Sequence, residues 1–256
     1  MPKSEMCIDQ NGDADPSHVS ERSCIMKADE RISETFRLGA LLAMVGGFLD
    51  AYSYVTRGQV FATAETGNIV LMGLNLAQGN GPRALRYLLP ISVYALGILV
   101  AKWIHEEHTA REISLLHWRQ IIIVLEAVVL LGVTFIPQSD GWNLVANGMI
   151  AFVSSMQVQS FRRLRGGAFA TTMCTGNLRS GVDTLYRAMR SHDRGQARKS
   201  LRYFGIIAGF VLGVVISFRL TAVFGRLAMP FAVAVLVVVY LMLLAEPLEA
   251  DGRVNR

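Results

Sequence analysis

The sequence predicts an all-α fold: a polytopic membrane helix bundle of about six full spans, with two broken or re-entrant segments, built from two pseudo-symmetric halves. Three observations predict it. Long apolar runs are separated by short polar stretches, Lys and Arg are distributed unevenly around those runs, and a set of short motifs recurs in order. Apolar residues make up 52% of the 256 and charged residues 18%, and the charges sit outside the apolar runs, as in a membrane protein.

Residues 1–35 are polar and of mixed charge, with no apolar core of signal-peptide length, and read as a disordered cytoplasmic tail. The membrane domain covers 36–246, with 36–136 as repeat one and 142–246 as repeat two, followed by a polar C-terminal tail, 247–256. A crossing helix needs about 20 apolar residues to span about 30 Å of hydrocarbon. Runs that approach this length are 36–56, 85–104, 119–136, 143–161, 203–224 and 227–246. Two further segments, 59–79 and 167–189, are part apolar and part polar. If neither crosses and the N-terminus is inside, 20 of the 25 Lys and Arg lie on the inner side. If both cross, the bias falls and Arg179 is left in a span, so six crossings fit the positive-inside rule better. Small-residue stripes at Ala43, Gly47 and Ala51, and at Gly205, Gly209 and Gly213, predict close helix–helix seams.

The halves echo each other in three places. Arg57-Gly58 followed by Phe61-Ala62-Thr63 returns as Arg165-Gly166 followed by Phe169-Ala170-Thr171. Thr66-Gly67-Asn68 returns as Thr175-Gly176-Asn177, and Arg86-Tyr87 with Leu96-Gly97 returns as Arg202-Tyr203 with Leu212-Gly213. A half with an odd number of crossings turns its copy upside down, which is the inverted-repeat arrangement of many secondary transporters.

The broken segments carry the chemistry. In the first, Thr66, Gly67 and Asn68 are residues that suit a cap or turn, and the apolar residues 69–79 would make a half-helix of about 16 Å at 1.5 Å per residue. Irregular backbone at that depth is tolerated where it lines a cavity, and a helix start there directs N–H groups into it. Asp50, deep in the first span, reads as a cation or proton site or an anchor for the first Thr-Gly-Asn turn, or else as a structural acceptor for backbone N–H groups. The substrate- or ion-binding candidates are therefore Asp50, Glu65, Thr66, Gly67 and Asn68, with Gln157, Thr175, Gly176 and Asn177 as their counterparts. The position matching Asp50 falls at Val158, so amides replace the acid in half two. Glu126 is a further mid-span acid. Arg162, Arg163 and Arg165 read as an inner-face topology anchor or an anion gate, and 187–202 as a solvated basic inner loop.

The positive balance of +5 flanks apolar runs, so nucleic acid is not an expected partner. His105, Glu106, Glu107 and His108 do not have metal-ligand spacing, and Cys7, Cys24 and Cys174 form no CxxC pair. No nucleophile elbow, phosphate loop or dinucleotide fingerprint is present, so neither an enzyme nor a bound cofactor is expected. The expected partners are the lipid bilayer and a small polar or anionic solute, with a homo-oligomer left open. The leading functional reading is a small-solute permease with a midplane polar site. The alternative is a non-transporting membrane scaffold or regulator that uses the basic inner loops for docking.

Gly46-Gly47-Phe48-Leu49-Asp50-Ala51-Tyr52, then Gly58, Phe61 and Thr66-Gly67-Asn68, resemble the start of the YoaK family, bacterial multi-pass membrane proteins classed as a domain of unknown function. Met156-Gln157, Arg162-Arg163-Leu164, Thr171-Thr172 and Thr175-Gly176-Asn177-Leu178 resemble its second half. The resemblance covers about residues 36–246. It implies a bundle of helices in the bacterial inner membrane, and it brings no established activity, substrate or catalytic residue. Family members often have Asn after Met-Gln, where this chain has Val158.

Overall fold

A computed structural model of the protein describes residues 21–110, 118–161 and 174–245, with backbone alone for 21–35 and 109–110. The described residues are helical, in the order α1 (Glu21–Thr56), α2 (Glu65–Ala77), α3 (Gly81–Ala110), α4 (Trp118–Val133), α5 (Asp140–Ser160), α6 (Cys174–Ser191), α7 (Arg194–Phe224) and α8 (Pro230–Ala245). A short 3-10 turn, Gly225–Ala228, joins the last two.

Three stretches are long and apolar enough to cross a membrane: Phe36–Thr56, Gly81–His108 and Arg194–Ala228. The chain is a membrane protein on that evidence. Of the other expected crossings, α4 and α8 have 16 residues each, about 24 Å of helix, and α5 has 21 residues with Asn147, Ser154, Ser155 and Gln157 buried along it. Six full crossings were expected, and three of the described helices meet the length and apolarity needed for one.

Other boundaries differ from the sequence expectation. Helix α1 begins at Glu21, within the stretch read as a disordered tail. Residues 1–20 and 246–256 lie outside the described residues, as do Arg162, Arg163, Arg165 and the Phe169-Ala170-Thr171 echo. The basic stretch 187–202 is not a loop. It belongs to α6 and α7, which are separated by a tight turn at His192 and Asp193, where the Asp193 carboxylate caps α7 by accepting from Gly195 N–H. Its charges lie on exposed faces of the two helices, so a polar composition here marks amphipathic helix, not coil.

The core is formed by the apolar faces of α1, α4, α5 and α8, centred on Leu42, Phe48, Leu49, Leu130, Ile150, Leu236 and Val239. Helix α7 lies against α1 through the glycine seam. A Cβ at Gly213 would collide with the Met44 carbonyl, and one at Gly47 with the Phe210 carbonyl. At Gly209 it would stand 2.9 Å from the Ala40 oxygen. Only a residue without a side chain allows backbones this close. Both expected stripes are therefore seams between the same two helices.

Polar contacts fix which helix ends meet. At one end, buried Arg57 donates to the carbonyls of Val133 (3.2 Å), Ile136 (3.0 Å) and Pro137 (2.9 Å), where α4 ends. At the same end Arg83 meets Gln59, Arg86 pairs with Asp140 at 2.9 Å, and the Tyr52 hydroxyl donates to the Arg226 carbonyl. At the other end, Arg119 donates to the Ser160 carbonyl and Gln120 to the Leu243 carbonyl. Helix α2 thus starts inside the bundle and finishes beside the end of α1, the end from which the chain entered.

Candidate functional site

The site begins with the chain after Thr56. Gly58 has φ of 88° and Gln59 of 61°, left-handed backbone that reverses the chain and sends 60–64 back alongside α1. The backbone of this returning stretch would be unsatisfied inside an apolar bundle. Asp50 satisfies it. Its Oδ1 accepts from the N–H groups of Ala62 (2.9 Å), Thr63 (2.6 Å) and Ala64 (3.3 Å), and its Oδ2 accepts from the Thr63 hydroxyl at 2.7 Å. Asn68 closes the loop from the other side. Its Oδ1 accepts from Phe61 N–H and its Nδ2 donates to the Phe61 carbonyl, both at 2.9 Å. One side-chain amide thereby satisfies both backbone groups of one residue. The Nδ2 also donates to Glu65 Oε2 at 3.0 Å.

Two details correct the sequence reading. Thr66-Gly67-Asn68 is not a cap before a half-helix starting at Ile69. Helix α2 begins at Glu65 with Ala64 at its N-cap and no side-chain cap, so the motif forms its first turn. Thr66 is exposed. Gly67 is required by packing, because a Cβ there would sit 2.8 Å from the Phe61 ring. Similarly, α6 begins at Cys174, so Thr175-Gly176-Asn177 is its first turn, with Thr175 and Gly176 exposed and Asn177 buried. The second concerns the N–H groups just ahead of α2: those of Ala62, Thr63 and Ala64 are taken by the protein's own Asp50 carboxylate.

The centre holds two acids. Asp50 is buried, and Glu65 Oε1 is buried without a hydrogen-bond partner among the described residues. The first broken segment closes on this carboxylate through the N–H groups of Ala62, Thr63 and Ala64. Gln157 is fully buried on α5, yet neither polar atom of its side chain has a partner among the described residues, and no hydrogen bond links it to Asp50. Glu126 is likewise buried, with both oxygens unpartnered, in the α4 face that packs into the core. The structure thus brings Asp50, Glu65 and Asn68 together, and among the described residues no hydrogen bond joins Gln157 or Glu126 to them.

Sequence reasoning missed Thr63 and Arg57. Thr63 and Arg57 lie in the repeated Arg-Gly and Phe-Ala-Thr motifs, which were used only as markers of duplication. Among the described residues no group of three or more His, Cys, Asp or Glu could hold a metal.

Asp50 also borders a groove of about 670 Å³ between α1 and α7, lined mainly by apolar groups, including Tyr54, Phe61, Phe210, Val215 and Phe218, with Arg219 on its far wall. A second hollow of about 350 Å³ lies at the opposite end, beside Lys102, His105, Trp118 and Arg119.

A family model described as protein of unknown function DUF1275 matches residues 38–242. The chain belongs to that family. DUF1275 is the family that includes YoaK, in keeping with the motif resemblance. The match takes in α1 from Leu38 and nearly all of α8, so Asp50, Glu65, Asn68 and both Thr-Gly-Asn turns lie within the DUF1275 region. No curated protein and no solved structure matches this DUF1275 chain.

Proposed function

We propose that the protein is a multi-pass inner-membrane permease for small polar solutes, with six crossings, two inverted halves, and a central site where Glu65 takes up and releases a proton. The observation that carries this reading is the folded-back stretch ahead of α2, whose N–H groups at Ala62, Thr63 and Ala64 close on the buried carboxylate of Asp50, with Glu65 opening the helix beside it. Helix starts and folded-back backbone at that depth are features of transporter centres.

Three further facts support the arrangement. The end contacts let α1, α3, α4, α5, α7 and α8 run from one end of the bundle to the other, while α2 enters and leaves at one end. The packing partners exchange when the halves exchange: α1 on α7 matches α5 on α3, α2 on α3 matches α6 on α7, and α4 on α5 matches α8 on α1. The seams match too. Gly213 abuts the Met44 carbonyl and its counterpart Gly97 abuts the Phe152 carbonyl, and Met44 and Phe152 stand 108 residues apart, as do Arg57-Gly58 and Arg165-Gly166.

The two acids have different roles. Asp50 is committed to four hydrogen bonds and holds the loop. Glu65, with one oxygen unbonded and no ion-pair partner among the described residues, is the group free to exchange a proton with solvent or solute. The test is flux in proteoliposomes over a panel of small solutes with an internal pH dye. The reading expects solute entry accompanied by proton movement, and loss of the proton movement in Glu65→Gln. No flux for any solute, or proton-coupled flux unchanged by that substitution, would overturn it.

A further inference from the structure

The groove between α1 and α7 has a charge on each wall, and the two charges do not meet. Gly205, Gly209 and Gly213 abut Phe36, Ala40 and Met44 in turn, so α1 and α7 run parallel and in step. The step that sets Gly213 on Met44 sets Arg219 at the level of Asp50, and both residues line the same groove. Yet Arg219 has no hydrogen-bond or ion-pair partner among the described residues. Arg219 is exposed and lies within two turns of the end of α7, where an arginine can hold its head near water, and the buried Asp50 carboxylate has no ion-pair partner among the described residues. Of the four hydrogen bonds to Asp50, three go to Oδ1 and one to Oδ2, so Oδ2 keeps acceptor capacity. Between the charges the walls are aromatic and aliphatic, from Tyr54, Phe61, Phe210, Val215 and Phe218. The groove's volume of about 670 Å³ falls within the range of small-molecule sites.

We propose that this groove binds a zwitterionic solute with an apolar body, with the solute's ammonium at Asp50 and its acid group at Arg219. The chemistry is that of a free apolar amino acid. Each charge of the solute replaces a partner that the protein lacks, and the apolar body covers the aromatic walls. A solute with only one charge leaves the other wall charge unpaired, which is how a site built for two polar groups rejects a ligand lacking one. The assignment rests on the permease reading, because it names the solute of that centre.

The test uses purified full-length protein in nanodiscs of phosphatidylcholine, a lipid without a primary ammonium. Binding is measured for phenylalanine, phenethylamine (no carboxylate) and 3-phenylpropionate (no ammonium), which share one apolar body. Phenylalanine is expected to bind at least about tenfold more tightly than either of the others, from the gain of one charged pair. Arg219→Gln should reduce phenylalanine to the level of phenethylamine and leave phenethylamine no weaker. Val215→Trp, at an exposed position on the groove wall, should abolish binding of all three by filling the space. Equal affinities, no phenylalanine binding to the unsubstituted protein, or a preference that survives Arg219→Gln would overturn the assignment. Flux of other solutes with no zwitterion preference removes only the groove assignment. Zwitterion binding without any flux supports the groove and removes the permease.

Discussion

Replacing Asp50 separates its structural role from its charge. The carboxylate accepts four hydrogen bonds from Ala62, Thr63 and Ala64. A hydrogen bond to a charged group contributes about 1.5–3 kcal/mol, and a buried donor left unpaired costs about 1–3 kcal/mol. Asp50→Ala strands three backbone N–H groups and one hydroxyl together, a loss of at least about 4 kcal/mol against a typical net stability of about 5–15 kcal/mol. Asp50→Asn keeps an acceptor oxygen for the three N–H groups, and the Thr63 hydroxyl can turn to accept from the new amide. Only the charge assistance is lost, about 2 kcal/mol. At about 2–4 °C per kcal/mol for a chain of this size, Asn should lower Tm by about 4–8 °C, and Ala should leave little folded protein to purify. The assay is intrinsic-fluorescence melting in detergent, with folded yield by size-exclusion chromatography. An Ala variant that melts within about 2 °C of the unsubstituted protein would show that Asp50 does not hold the loop.

Three other substitutions probe the rest of the bundle by the same melting assay. Gly213→Ala drives a Cβ into the Met44 carbonyl and forces α1 and α7 apart, so it should cost about 1–3 kcal/mol, whereas Gly73→Ala meets nothing and should gain about 0.5–1 kcal/mol from helix propensity. Equal effects would refute the seam. Arg57→Met removes the group that caps the carbonyls of Val133, Ile136 and Pro137 and should cost about 3–5 kcal/mol; a loss under about 1 kcal/mol would show that those carbonyls find other partners. Glu126→Leu replaces a buried acid with unpartnered oxygens by an apolar side chain of similar size, and stability should hold or rise by about 1 kcal/mol. A marked fall would reveal a hidden partner for that carboxyl.

The sequence carried the parts of this fold that depend on periodicity and residue size. The positions of the long helices follow the apolar runs, and the small-residue stripes of α1 and α7 form the seam they predicted. Asp50 anchors the loop through backbone N–H groups twelve to fourteen residues away, a partnership the sequence could not show because it does not reveal which backbone folds back. For the same reason the start of α2 was misplaced. Thr-Gly-Asn is cap-forming chemistry, but here the loop bonds to Asp50 set the helix start, and Asn68 serves Phe61 from inside the first turn. Arg57 entered the sequence reading only as part of a repeated motif, because composition does not distinguish an arginine in water from one that is buried while capping a neighbouring helix. The place of Arg219 at the level of Asp50 follows only from the register of α7 on α1, a tertiary fact.

The claim on which the account depends most is that the chain from Arg57 to Asn80 enters and leaves the bilayer at one face. Single cysteines at Gln59, Asn80, Asp140 and His192, in a chain with Cys7, Cys24 and Cys174 replaced by serine, can be labelled in intact cells with an impermeant maleimide. The account predicts that positions 59, 80 and 140 label together from one face and that position 192 labels only from the other. Labelling of positions 59 and 80 from opposite faces would make α2 a crossing helix, and the folded-back centre at Asp50 would not exist.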